Sequence, residues 1–215
     1  MALDGLSLDE FLAMTAGKRA KKTAAAGGQF TIFPPAPAKS RDGVVAAKAG
    51  RPPALKTPLR LMGIDPGTRF VGWGVLELNP RDLSLRMIDC GCIMPPVKLD
   101  LRFRLRQIFS ELETIIGQTR PQAAALEETF AGVNMKSAIA MGEGRGVALL
   151  CLTRANLDVL ELSPRSIKQA VTGSGASGKA HVAAMVAARL NLKKVPEPED
   201  ITDALAAAIA LSQRI

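Results

Sequence analysis

The pattern of apolar positions changes near residue 58. Before it, large apolar residues are sparse and follow no period; from Leu59 onward they recur at strand and helix spacings. The run Leu59-Arg60-Leu61-Met62-Gly63-Ile64 ends in Asp65 and breaks at Pro66-Gly67, which reads as a buried strand that stops at a carboxylate. Phe70–Leu78 and Leu85–Ile93 predict two further strands, with Pro80-Arg81-Asp82 as the turn between them, so the first three strands form an antiparallel meander. Gly72 and Gly74 predict that the second strand pairs closely. Leu101, Leu105, Ile108, Phe109, Leu112, Ile115 and Ile116 share one helical face, which leaves Arg102, Arg104 and Arg106 to solvent. Gln122–Leu126 predicts a short buried strand that ends in Glu127-Glu128.

A long helix is predicted over about residues 137–156. Ala138, Gly142 and Gly146 sit four apart on one of its faces. Glycine in a helix costs about 1 kcal/mol relative to alanine, so close approach of another helix is the expected compensation, either across a two-fold axis or within one subunit. Leu157–Leu162 predicts a fifth strand. Ser163-Pro164 opens a helix with a cap and a first-turn proline. The last helix starts near Glu199, and its sequence beyond Asp203 is almost wholly apolar.

Four carboxylates stand out on this scaffold. Asp65 and Glu127 end strands, and in an α/β sheet such ends gather on one edge. Asp200 and Asp203 are three apart and share a helix face. Asp200 also suits a helix N-terminus through the dipole, whereas Asp203 precedes a buried helix and needs another reason. Acids gathered in this way repel unless divalent cations neutralise them, and oxygen ligands favour Mg2+ or Mn2+. Two such ions about 3.5–4 Å apart activate a water and stabilise the leaving oxygen in phosphodiester cleavage.

Composition narrows the partner. The 215 residues carry 28 Lys and Arg against 20 Asp and Glu, a net charge of +8, which suits a polyanion. Residues 1–57 hold nine basic residues against four acids, so most of the excess lies there; this Ala/Pro/Gly-rich extension cannot bury enough surface to fold alone and is expected to be disordered. Ser7–Leu12 has the capping pattern of one helical turn. Cys90, Cys92 and Cys151 are too few for a four-cysteine zinc site, and they read as thiols of a reducing compartment. No apolar run approaches the length of a membrane span, and no signal-peptide pattern opens the chain. Gly173–Ala180 fits G-x-x-x-x-G-K but has Ala180 where Ser or Thr would hold magnesium, and it follows a helix. A nucleotide loop is therefore not expected; a DNA phosphate on its backbone N–H groups, with Lys168 and Lys179 nearby, is.

In order and spacing these elements resemble the RNase H-like nuclease superfamily, and more closely the RuvC family of Holliday junction resolvases. The resemblance rests on Gly63-Ile64-Asp65-Pro66-Gly67-Thr68 with Gly72-x-Gly74-Val75, on Leu126-Glu127-x-x-Phe130, and on Gly142-x-x-Arg145-Gly146-Val147. It continues through Ile167-Lys168-Gln169, Gly178-Lys179 and Asp200-x-x-Asp203-Ala204-Leu205-Ala206. It implies an α/β fold with a five-stranded mixed sheet flanked by helices over residues 58–215. It also implies an endonuclease that resolves four-way DNA junctions by paired symmetric nicks. Asp65, Glu127, Asp200 and Asp203 would be the catalytic acids and hold Mg2+, with Mn2+ as substitute, at two ions per subunit. Lys168 and Lys179 would contact phosphates, and Phe130 would stack on an unpaired base, the alternative for Phe130 being core packing. The family works in the bacterial cytoplasm as a homodimer with the RuvA–RuvB branch-migration complex. The long segment before Leu59 departs from its pattern. Within that segment, Gln29-Phe30-Thr31-Ile32-Phe33 resembles the Gln-x-x-aliphatic-Phe peptide that docks bacterial DNA enzymes on the sliding clamp, the alternative being an unpartnered apolar patch. The competing functions are an RNase H-like nuclease for flaps or RNA–DNA hybrids, and a junction-binding protein without catalysis.

Overall fold

The computed structural model describes residues 57–128 and 135–215. The extension up to residue 56, with its Ser7–Leu12 turn and its Gln29–Phe33 peptide, and Phe130 lie outside the described residues. Five strands and five helices follow one another: β1 (Leu59–Asp65), β2 (Val71–Leu78), β3 (Leu85–Ile93), α1 (Leu101–Thr119), β4 (Ala123–Glu127), α2 (Met135–Arg154), β5 (Asp158–Leu162), α3 (Pro164–Thr172), α4 (Lys179–Arg189) and α5 (Glu199–Ser212). The sheet order is β3-β2-β1-β4-β5. β1, β2 and β3 pair antiparallel, while β4 lies parallel to β1 and β5 parallel to β4. This is the mixed five-stranded sheet expected from the sequence, with the two halves of the meander and the crossovers meeting at β1.

Side-chain alternation along β1 divides the core into two layers. Met62 and Ile64 point to one face, where they pack with Ile108, Leu112 and Ile116 of α1 and with Ala148 and Leu152 of α2. Leu61 points to the other, among Ile167 and Val171 of α3, Val182 and Val186 of α4, and the buried length of α5. Gly63 and Asp65 share the parity of Leu61, and so does Ala125 with Glu127 on β4. Both strand-end carboxylates therefore rise on the face that α5 covers.

That face is stripped of side chains where α5 crosses it. A Cβ on Gly63 would collide with the carbonyl oxygen of Ala204 and stand 2.6 Å from the amide nitrogen of Ala208. One on Gly72 would collide with the backbone of Asp200, and one on Gly74 would stand 2.5 Å from the Leu205 side chain. The glycines of β2 thus serve the approach of α5, rather than strand pairing alone. From Ile201 to Leu211 every residue of α5 except Asp203 is buried, half of them alanine.

On α2 the close approach falls elsewhere than expected. Among the described residues neither Gly142 nor Gly146 has an atom within 4 Å of where a Cβ would stand, so close packing against those residues does not explain them. Gly144 does pack: its Cβ would lie 2.5 Å from the carbonyl oxygen of Gly67 and 2.9 Å from Thr68 Cγ2. The helix is pressed onto the turn that follows Asp65.

Replacing Gly63 with alanine is expected to destabilise the fold by about 3 kcal/mol or more, because the clash is with helix backbone that cannot rotate away. Gly142→Ala should leave the stability of the protomer unchanged or raise it by up to about 1 kcal/mol. Urea denaturation of the two variants measures the contrast.

Candidate metal centre and nucleic-acid interface

Asp65 and Glu127 are brought together by the parallel β1–β4 pair. Ile64 stands opposite Leu126, so the next residue of each strand, the carboxylate, leaves the sheet at the same edge. Asp200 and Asp203 come to that edge from above because α5 begins there, and Asp200 backbone rests on Gly72, the cross-strand neighbour of Asp65. Asp65, Glu127 and Asp203 line one recess of about 210 Å3 together with Lys168 of α3 and Lys179 of α4. Asp200 faces a neighbouring recess that Asp65 also lines.

The charges strain one another. Burial pushes the Asp65 carboxyl up to about 8, and the nearby Glu127, Asp203 and Asp200 push in the same direction against Lys179. Burial and Asp203 raise Glu127 to about 7, with Lys168 and Lys179 opposing. Asp203 is raised as well, first by burial, with Lys179 pulling it down and Asp200 and Glu199 pushing it up. Lys179 donates to Glu199 Oε2 at 3.0 Å, and this hydrogen bond, followed by Asp203, lifts its own ammonium above the usual range. The lysine is 70 % exposed in side chain, so it is free to exchange that surface partner for another anion.

The donor set fits a hard divalent cation: oxygen only, several formal negative charges, and no sulfur or imidazole in the recess. Among the described residues no three acids, cysteines or histidines are drawn together into a closed ligand cage.

The loop from Gly173 to Gly178 departs from its expected use. Gly173 caps α3 with φ +81° and donates to Gln169 O; Ser174 donates to Thr172 Oγ1, Gly175 to Gln169 Oε1, Ala176 to Ser174 Oγ, and Ser177 to Ser174 O. Five successive N–H groups are already satisfied within the loop. Those five are not available to a DNA phosphate; Gly178, at the N-cap of α4, has no side-chain cap, and Lys168 and Lys179 are the cations at the recess. Arg104, expected in solvent with Arg102 and Arg106, turns inward instead. Its Nη1 donates to Thr68 O at 3.3 Å and its Nε is buried. Helical spacing alone could not reveal this, because the β1–β2 turn that receives the guanidinium is 36 residues away. Arg102 and Arg106 flank the exposed Phe103 ring, 5.3 and 5.5 Å from its centroid.

Residues 61–211 match the family model described as crossover junction endodeoxyribonuclease RuvC. The chain belongs to the RuvC family. The crossover junction endodeoxyribonuclease RuvC of Chloroflexus aurantiacus is 44% identical over 151 residues, which cover 70% of this chain and 91% of that protein. The structure of Thermus thermophilus RuvC superposes with a TM-score of 0.65 at 30% identity, over 71% of this chain and 92% of that one. T. thermophilus RuvC in complex with a Holliday junction substrate gives 0.64 at 28% identity, over 71% and 91%. The RuvC match begins at β1 and ends in α5, so it takes in all four acids and both lysines.

The raised carboxyls fix the sign of a pH effect. With Asp65 near 8 and Glu127 near 7 in the folded state, against ordinary carboxyl values when unfolded, the native state holds more protons between about pH 4 and 8. Metal-free protein should therefore lose thermal stability as the pH rises through that window. Added Mg2+ should restore it, most strongly at the alkaline end, with protons released on binding. Asp65→Asn should flatten the pH dependence; melting curves in EDTA and in Mg2+ at several pH values measure all three effects.

Proposed function

We propose that the protein is a magnesium-dependent crossover junction endodeoxyribonuclease that resolves four-way DNA junctions. One observation carries the reading: Asp65 and Glu127 at adjacent strand ends share a recess with Asp203, and two lysines stand on its rim. On this reading Asp65, Glu127, Asp200 and Asp203 hold two Mg2+ ions, with Mn2+ as a substitute. Bound divalent cations supply neutralisation of the acids and activation of a water for attack on the phosphodiester. The chain's own part is positional. The four carboxylates orient around the scissile phosphate, while Lys168 and Lys179 hold its non-bridging oxygens or those of its neighbour and offset charge that develops during attack. Residues 58–215 make up the nuclease domain. Phe130 is the candidate for stacking on an unpaired base at the crossover.

The junction is two-fold, and an exposed face of α2 supports a two-fold enzyme. Met135, Ile139 and Leu150 are 75 %, 58 % and 51 % exposed. At spacings of three and four they fall in line with the bare Gly142 and Gly146, which would admit a second helix at close range. A homodimer through this face would give each of two opposing strands its own site. Family membership supports the RuvA–RuvB branch-migration complex as the source of the junction.

Cleavage of a synthetic four-way junction, a flap, a linear duplex and an RNA–DNA hybrid in Mg2+ tests the reading. Symmetric nicks in the junction alone are expected. Preferred cutting of flap or hybrid would replace it with another RNase H-like activity, and binding without cutting would leave a junction-binding protein. Asp65→Asn should lower cleavage by about 10³-fold or more while junction binding survives. Lys179→Ala should slow cleavage more than it weakens binding. Ile139→Asp should yield a monomer by sedimentation that nicks strands one at a time rather than in pairs.

A further inference from the structure

The second recess shares Asp65 with the first and none of its other lining residues. It encloses about 650 Å3 and is lined by the β1–β2 turn, Arg104 of α1, the first turns of α2, and Asp200. Among the described residues its cations are Arg69, Arg104 and Lys136, and its acids are Asp65 and Asp200. Neither arginine forms an ion pair among the described residues. Arg104 is half-buried; it reaches the Thr68 carbonyl at a long 3.3 Å, and its buried Nε has no partner. A guanidinium carries five N–H donors in a planar fork, and leaving one buried without an acceptor is costly. A phosphate oxyanion is the kind of acceptor that a guanidinium at the wall of such a recess takes.

We propose that Arg104 and Arg69 hold a phosphate of the cut DNA strand next to the scissile one. The strand then crosses Asp65 with cations on both sides: Lys168 and Lys179 in the first recess, Arg69 and Arg104 in the second. This inference rests on the endonuclease reading and adds a second grip to it. A strand held on one side of the cut pivots about that contact; held on both, its scissile phosphodiester keeps one orientation over the acids, which is the geometric condition for rapid attack. Arg104 is tied through Thr68 to the turn that directly follows Asp65 and Pro66. Engagement of the phosphate would thus also steady the carboxylate. Arg69 is exposed on the same turn and acts as a second phosphate contact.

The test uses the full chain and junctions in which one phosphate at a time, on either side of the cut, is replaced by an uncharged methylphosphonate. Binding is measured in Mg2+-free buffer across a salt series, and single-turnover cleavage in Mg2+. Arg69→Ala and Arg104→Ala are each expected to weaken junction binding about tenfold and to reduce the slope of log K against log salt by about 1. One methylphosphonate position should impair the unmodified protein and have no further effect on the arginine variants, the non-additivity that marks a direct contact. Arg104→Lys should recover part of the binding but not the full rate, since the charge returns without the fork. An unchanged salt slope, or effects that add at every position, overturns the proposal. So does loss of cleavage by Arg104→Ala with phosphate dependence intact, which would mean that Arg104 only braces the turn. Should Arg104→Ala fail to fold, Arg69→Ala carries the same outcomes at an exposed position. Absence of junction cleavage by the unmodified protein would instead overturn the endonuclease reading, and the binding series would still decide the phosphate contact.

Discussion

The structure depends on one close contact, that of α5 with the bare centre of the sheet. A helix normally stands off a sheet by the length of the side chains between them. Here Gly63 and Gly72 leave β1 and β2 without any, so the backbone of α5 meets the backbone of the sheet, while Gly74 makes room for the Leu205 side chain. The consequence is positional. With the helix held this low, its first turn lies at the sheet edge where β1 ends, and Asp200 and Asp203 enter the neighbourhood of Asp65. A larger residue at Gly63 or Gly72 would lift the helix and carry two carboxylates away from the other two.

The same packing creates an electrostatic load. Burial is the largest cause of the raised carboxyls of Asp65, Glu127 and Asp203, ahead of their mutual repulsion. The elements that gather the acids are also those that remove their water. Two lysines offset this only in part. Such a site subtracts from the stability of the bare protein, and the deep alanine-rich core beside it offsets the loss. Divalent cations reverse the sign: the more the acids repel without them, the more binding relieves.

Much of this was legible in the chain because its signals are local. Strand ends that stop at Asp65 and Glu127, the cap and proline at Ser163-Pro164, and an apolar helix with an acid at Asp203 announce themselves within a few residues. The meeting of these carboxylates at one edge followed, since two parallel strands joined through helices bring their ends together. What stayed hidden depends on contacts across long sequence separations. Gly142 and Gly146 looked like the packing glycines of α2, and Gly144, on a different face, is the one that touches Gly67. Arg104 reads as solvated by helical period, yet a turn 36 residues away receives it. The loop at Gly173 resembles a phosphate cradle in composition, but the N–H groups of residues 173–177 close on Gln169, Thr172 and Ser174. In each case the residue type was informative and its partner was not.

Helix α2 joins two of these features in one rigid element. Its inner side, at Gly144, rests on the turn that begins immediately after Asp65, and its outer side carries the exposed line of Met135, Ile139, Gly142, Gly146 and Leu150. If a second copy covers that line, each protomer's catalytic edge is set against the dimer axis through the width of one helix, with a glycine on each side. Compliance in such a link is small where the glycines sit, because a backbone contact has no rotamer to change. The separation of the two sites would then be determined by backbone packing, and the junction, which is the more deformable partner, would be the one to adapt. A fixed spacing between two metal sites favours a substrate whose two opposing strands can be brought to that spacing together. An open four-way junction meets this requirement and a linear duplex does not, so selectivity for the junction would arise from the placement of α2 rather than from contacts to particular bases.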